Sequence, residues 1–155
     1  TWDLPAAGTW FVVLSDRGHD ARDPSLFQVH TNFEQADAFE PNPDLGTAIR
    51  VASGAGVEST ILPAGDRDFF YVDVAGEGTL EVALTQVASG FHPSFLVRDP
   101  SGRSIGVWQN PTVSNGVAEP YEVATKVPGR YYIEIADQDA SVRVSEPYRM
   151  TVRLR

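Results

Sequence analysis

The chain has 155 residues, a net charge of −9, 42% hydrophobic residues, 13 Gly, 11 Pro and no Cys. That length fits one domain with a real core, and the composition is that of a folded chain. The negative charge repels phosphate backbones and anionic lipid, which excludes nucleic acid and membrane surfaces as primary partners; without Cys there is no disulfide, zinc–thiolate centre or thiol nucleophile. No apolar run reaches the roughly 18 residues of a membrane span, so direct membrane insertion is excluded, and no signal peptide is visible; if exported, the chain is the processed form or an internal piece.

Apolar and polar residues alternate over 9–14, 26–33, 57–62, 69–74, 80–87, 94–97, 105–108, 121–127, 131–135 and 148–154. Alternation of period two predicts strands with one wet face. In 70–74 one face carries Phe70, Val72 and Val74. Turn residues punctuate the runs: Asp99-Pro100-Ser101-Gly102 suits a type I turn, and Gly76-Glu77-Gly78 reads as a hairpin turn. One helical turn near 33–38 is too short to count. The fold class expected is all-β, an antiparallel, jelly-roll-like β-sandwich.

One stretch is written twice. Gly8-Thr9-Trp10-Phe11-Val12-Val13-Leu14-Ser15-Asp16 aligns with Gly129-Arg130-Tyr131-Tyr132-Ile133-Glu134-Ile135-Ala136-Asp137, and the offset carries on through Phe27 with Tyr148, Val29 with Met150 and Phe33 with Leu154. The second copy closes a full set of strands, whereas the first lacks the strands that precede it. The expected organisation is therefore 1–38, a hairpin resembling the end of a preceding sandwich, and 39–155, a complete sandwich. A lone hairpin is marginal in water and has two open edges, so the first copy needs a partner surface.

Four stretches, taken together, resemble the bacterial pre-peptidase C-terminal domain family, which is related to the collagen-binding domains of clostridial collagenases. They are Glu40-Pro41-Asn42 with Ala48 downstream, Asp66-Arg67-Asp68-Phe69-Phe70-Tyr71-Val72, Phe95-Leu96-Val97-Arg98-Asp99-Pro100-Ser101-Gly102, and Val127-Pro128-Gly129-Arg130-Tyr131-Tyr132-Ile133-Glu134-Ile135. The resemblance spans about 39–155. It implies a secreted β-sandwich appendage and, in some members, calcium drawn to the Glu-Pro-Asn segment and nearby acids. This chain departs from the family pattern at two places: Pro43 follows Asn42, which leaves Asp44 one position late, and His92-Pro93-Ser94 stands where an Asp-x-Asp pair is usual.

Glu40, Asn42, Asp44, Asp66 and Asp68 offer the hard oxygen donors that calcium takes, six to eight at a time. The same residues suit local turns and caps, and both readings stand at this point. Trp108 and Tyr121 are the candidate partner-binding aromatics, set against the ordinary burial of large rings. His19, His30 and His92 occur without a Gly-x-Ser-x-Gly elbow, a His-Glu-x-x-His helix or a phosphate loop, and the separation of Glu119 and Glu122 is not fixed by sequence. No catalytic residues are expected. The reading is a non-catalytic extracellular or periplasmic accessory module that binds or positions a protein partner. Its rivals are a structural subunit of a larger envelope or membrane-associated assembly and a carbohydrate-binding module that takes polysaccharide.

Overall fold

Ten strands take up most of the alternating runs in this computed structural model, which describes residues 9–15, 18, 28–31, 37–140 and 143–155. In chain order they are β1 (Ile49–Arg50), β2 (Gly56–Ile61), β3 (Arg67–Val74), β4 (Gly78–Thr85), β5 (Pro93–Arg98), β6 (Val113–Ser114), β7 (Val117–Ala118), β8 (Tyr121–Thr125), β9 (Gly129–Asp137) and β10 (Val144–Leu154). One sheet has the order β1-β3-β9-β5 and the other β2-β10-β4-β8; β6 and β7 form a separate hairpin. All pairings are antiparallel except β1 with β3. The described residues contain no helix.

Alternation decides which side chains meet between the sheets. From β3, β5 and β9 come Phe70, Val72, Phe95, Val97, Tyr131, Ile133 and Ile135; from β2, β4 and β10 come Ile61, Leu80, Val82, Leu84, Tyr148, Met150 and Val152, all buried. Each large side chain withdrawn from water this way contributes about 1.5–3 kcal/mol. Register keeps that set inward, because a one-residue slip would turn it out. The long central pairing runs from Arg67 opposite Ala136 to Val74 opposite Gly129.

The chain divides into two compact units, Thr1–Glu34 and Gln35–Arg155, and the sandwich belongs to the second. In the first unit, the strand expected over 9–14 is not formed: the backbone of 9–15 has no strand pairing, and Phe11 and Val13 are 85% and 84% exposed. The described part of the second expected strand, 28–31, is likewise not a strand; the remainder of 26–33 lies outside the described residues. Alternation specifies a strand only when a neighbouring edge accepts its hydrogen bonds. Nor is 105–108 a strand. Ser104 bridges to Arg98 and Gln109 to Phe95, with Gly106 at φ +87° between them breaking the extended run.

The Asp99–Gly102 turn forms as expected. Gly102 N donates to Asp99 O at 2.8 Å, Asp99 Oδ1 accepts from Ser101 N at 2.9 Å and Arg103 N at 3.0 Å, and Gly102 takes φ +81°. Its Pro100 lies against Gly129, which takes φ +139° and has no room for a side chain: an added Cβ would sit 2.7 Å and 2.8 Å from Pro100 carbons.

Candidate functional site

The Glu40–Asn42 segment is laid against the start of β3, where Phe69 N donates to Asn42 O at 3.0 Å. Residues far apart in sequence thereby meet at one point. Carboxylate oxygens of Glu40, Asp66 and Asp68 lie within 4.8 Å of one another. Asn42 is fully buried beside them. With its nitrogen turned inward, the Asn42 amide donates to Glu40 Oε1 at 3.0 Å and Asp68 Oδ1 at 3.1 Å; with its oxygen inward, it becomes a fourth oxygen at the same point. Asp66 is held by Leu62 N at 3.1 Å and Arg67 N at 2.8 Å.

Among the described residues, no Lys, Arg or His ion-pairs with any of the three acids. The electrostatic consequence follows from burial without a counter-charge. Desolvation pushes Asp68 up to about 8, only partly opposed by the hydrogen bond from the Tyr148 hydroxyl. Burial also raises Glu40 and Asp66, and the Asp66 charge raises Glu40 further. Several carboxylates crowded into a partly dry corner are costly as anions unless a cation neutralises them. The donor set of three carboxylates and one amide is the chemistry that calcium uses, with remaining positions left to backbone or water.

Asp44 takes no part in this cluster, contrary to the expectation from its position. It is an exposed turn residue whose Oδ1 accepts from Gly46 N at 2.8 Å, Thr47 N at 3.0 Å and Thr47 Oγ1 at 2.9 Å, bonds that lower its pKa. Its carboxylate closes the turn at Thr47 instead of joining Glu40.

The two candidate aromatics separate. Trp108 is 37% exposed and faces the Arg67 guanidinium, 5.9 Å from its ring centroid. Tyr121 sits on β8 of the other sheet, packs against the core, and donates to Ile105 O at 3.5 Å; it holds a loop and offers little free surface. Two further polar groups, Asp37 and Glu134, are fixed by the fold. Asp37 ties its segment to β2 through Ser59 Oγ at 2.8 Å and Thr60 N at 2.6 Å. Glu134, fully buried on β9, is gripped by Arg67 at 2.8 Å and Arg98 at 2.7 Å. Position alone gave a signal for Glu134, because it alternates with Tyr131, Ile133 and Ile135 and so lies on the sheet face away from the core.

No protein-family model and no curated protein matches this sequence. Among solved structures, the pre-peptidase C-terminal domain of the Bacillus anthracis collagenase is similar at TM-score 0.53 and 14% identity, over 68% of this chain and 94% of that one. Aeromonas hydrophila PliG, a periplasmic inhibitor of g-type lysozyme, aligns at TM-score 0.47 and 18% identity over 70% of this chain and 97% of that one. The class defined by sheet order and core is an antiparallel β-sandwich, and its fold is that of the collagenase pre-peptidase C-terminal domain.

Proposed function

We propose that this chain is a non-catalytic β-sandwich accessory module acting outside the cell or in the periplasm, where it positions a protein partner and is stabilised by calcium. The observation that carries the reading is the convergence of Glu40, Asp66 and Asp68 with buried Asn42 and, among the described residues, without an ion-paired cationic side chain. These four residues would hold the ion, which supplies a positive charge that no described side chain gives the corner. Sites of this kind in extracellular modules bind with dissociation constants of order 10⁻⁴ to 10⁻³ M, which suits a compartment rich in calcium. The likeness to a domain appended to a collagenase supports an accessory role.

A second reading, a structural subunit of a larger envelope assembly, is favoured by the exposed apolar run Phe11-Val12-Val13-Leu14 in the first unit. Thermal unfolding with excess calcium and after chelation tests the first reading, together with elemental analysis of the purified chain. Stabilisation of roughly 2.7 kcal/mol at a hundredfold excess of calcium over the dissociation constant is expected. An identical midpoint in both conditions, with no bound calcium, counts against it. Size-exclusion of the isolated chain beside native material separates the two: a subunit elutes in a larger particle before purification and an accessory module does not.

A further inference from the structure

We propose that the groove beside Trp108 is a binding site for a neutral saccharide. The groove adjoins the carboxylate corner, with which it shares Asp66, and the inference does not depend on calcium binding. The groove has a volume of about 310 Å³ and lies where the turn before β3 meets the ends of β5 and β9. That size is at the lower end of small-ligand clefts, roughly 300–1,000 Å³, and suits a mono- or disaccharide unit in preference to a folded chain.

The wall is a fixed aromatic platform. Gln109, the residue after Trp108, exchanges two backbone hydrogen bonds with Phe95, each 2.8 Å, which pins the segment to the edge of β5. Arg67 faces the indole, and its own Nη1 is tied to fully buried Glu134 at 2.8 Å. A large ring left 37% exposed while anchored from backbone and side presents an apolar face without a further ordering cost on binding. The floor is small, Ala136 with Ser94, whose hydroxyl donates to Ala136 O at 3.3 Å.

Around that wall stand free polar groups. The carboxamides of Asn110 and Gln138 make no hydrogen bond to the described residues and line the groove as combined donors and acceptors. An indole face with unpaired amides beside it matches a pyranose, which has an apolar C–H face and a rim of hydroxyls. Asp66 and Asp137 also line the groove, and the one Arg present is already paired with Glu134, so an acidic sugar or a phosphate is disfavoured.

The test uses the full chain and three neutral probes, cellotriose, maltotriose and N,N′,N″-triacetylchitotriose, with trigalacturonate as the acidic control, read by saturation-transfer NMR and tryptophan fluorescence. Saturable binding of at least one neutral probe is expected. Trp108→Ala should weaken it about tenfold or more, Trp108→Phe should retain part of it, and Asn110→Ala with Gln138→Ala should weaken it while the thermal midpoint stays that of the parent. Failure of all three neutral probes to bind overturns the inference. So does binding that survives Trp108→Ala unchanged, or a tripeptide mixture that saturates the groove where no sugar does.

Discussion

The hydroxyl of Tyr148, on β10, donates a hydrogen bond to Asp68 Oδ2, on β3, and so joins the two sheets through the interior of the sandwich. Both residues are fully buried. Asp68 thereby belongs at once to the core and to the carboxylate corner, so one bond couples packing to the affinity of the proposed cation site. Tyr148→Phe removes the hydroxyl whose hydrogen bond favours the ionised form of Asp68 while keeping the ring. We expect a loss of about 1–3 kcal/mol in urea unfolding, with weaker calcium binding at pH 7. An unchanged urea midpoint and an unchanged affinity would show that the bond carries neither effect.

The pH dependence of the metal-free chain has a definite sign. In the unfolded chain Asp68 titrates near 3.8, and in the fold at about 8, so folding takes up a proton between those values. The stability contributed by this group is complete below about pH 4 and is lost as pH rises through about 8, at roughly 1.4 kcal/mol per pH unit in between. Glu40 and Asp66, also raised, act in the same direction. Urea midpoints of chelator-treated protein at pH 5, 6 and 7 should therefore fall in that order, and saturating calcium should flatten the trend. A metal-free midpoint that rises across this range contradicts the burial of Asp68.

Gly129→Val tests the close contact with the Asp99–Gly102 turn. Valine must adopt φ +139° with its Cβ under 3 Å from Pro100, so a loss of about 1–3 kcal/mol is expected, with calcium and saccharide binding of the folded fraction retained. A variant that melts with the parent but loses a ligand would move this turn from the scaffold into a binding site.

Burial also ranks the ion pairs. Glu134 is fully buried and Arg98 mostly so, whereas Arg50 and Asp73 are both largely exposed. Arg98→Met leaves a buried carboxylate with one partner and should cost about 3 kcal/mol; Arg50→Met should scarcely move the midpoint. Equal losses from the two substitutions would mean that Glu134 is better solvated than the structure shows.

Much of the sandwich was legible because its strands alternate and bury one face: β3, β4, β9 and β10 lie where Phe70, Leu80, Ile133 and Met150 mark apolar sides. The missed strands β1, β6 and β7 have two residues each, too few for a period to show. One of them did have a local signal, since Asn115-Gly116, at φ +51° and +74°, is the dipeptide of a tight hairpin turn between β6 and β7. The carboxylate corner was legible in its members Glu40, Asn42, Asp66 and Asp68 through the resemblance to a known family; Asp44 was not separable from them, because sequence does not show that its carboxylate is taken up by its own turn at Gly46 and Thr47. Tyr148 and Glu134 were not legible as polar partners, because sequence alternation reports burial and not what a buried group bonds to across the sheets.

Calorimetric titration of calcium into chelator-treated protein at pH 7, repeated in buffers of different ionisation enthalpy, measures affinity and proton release together. A carboxyl with its pKa at about 8 is about nine-tenths protonated at that pH, and it must give up its proton to become a ligand. The proposed cation site predicts saturable binding with release of close to one proton or more per calcium, lost in Asp68→Asn. Absence of binding, or binding with no proton released, would contradict a cation site built on Asp68.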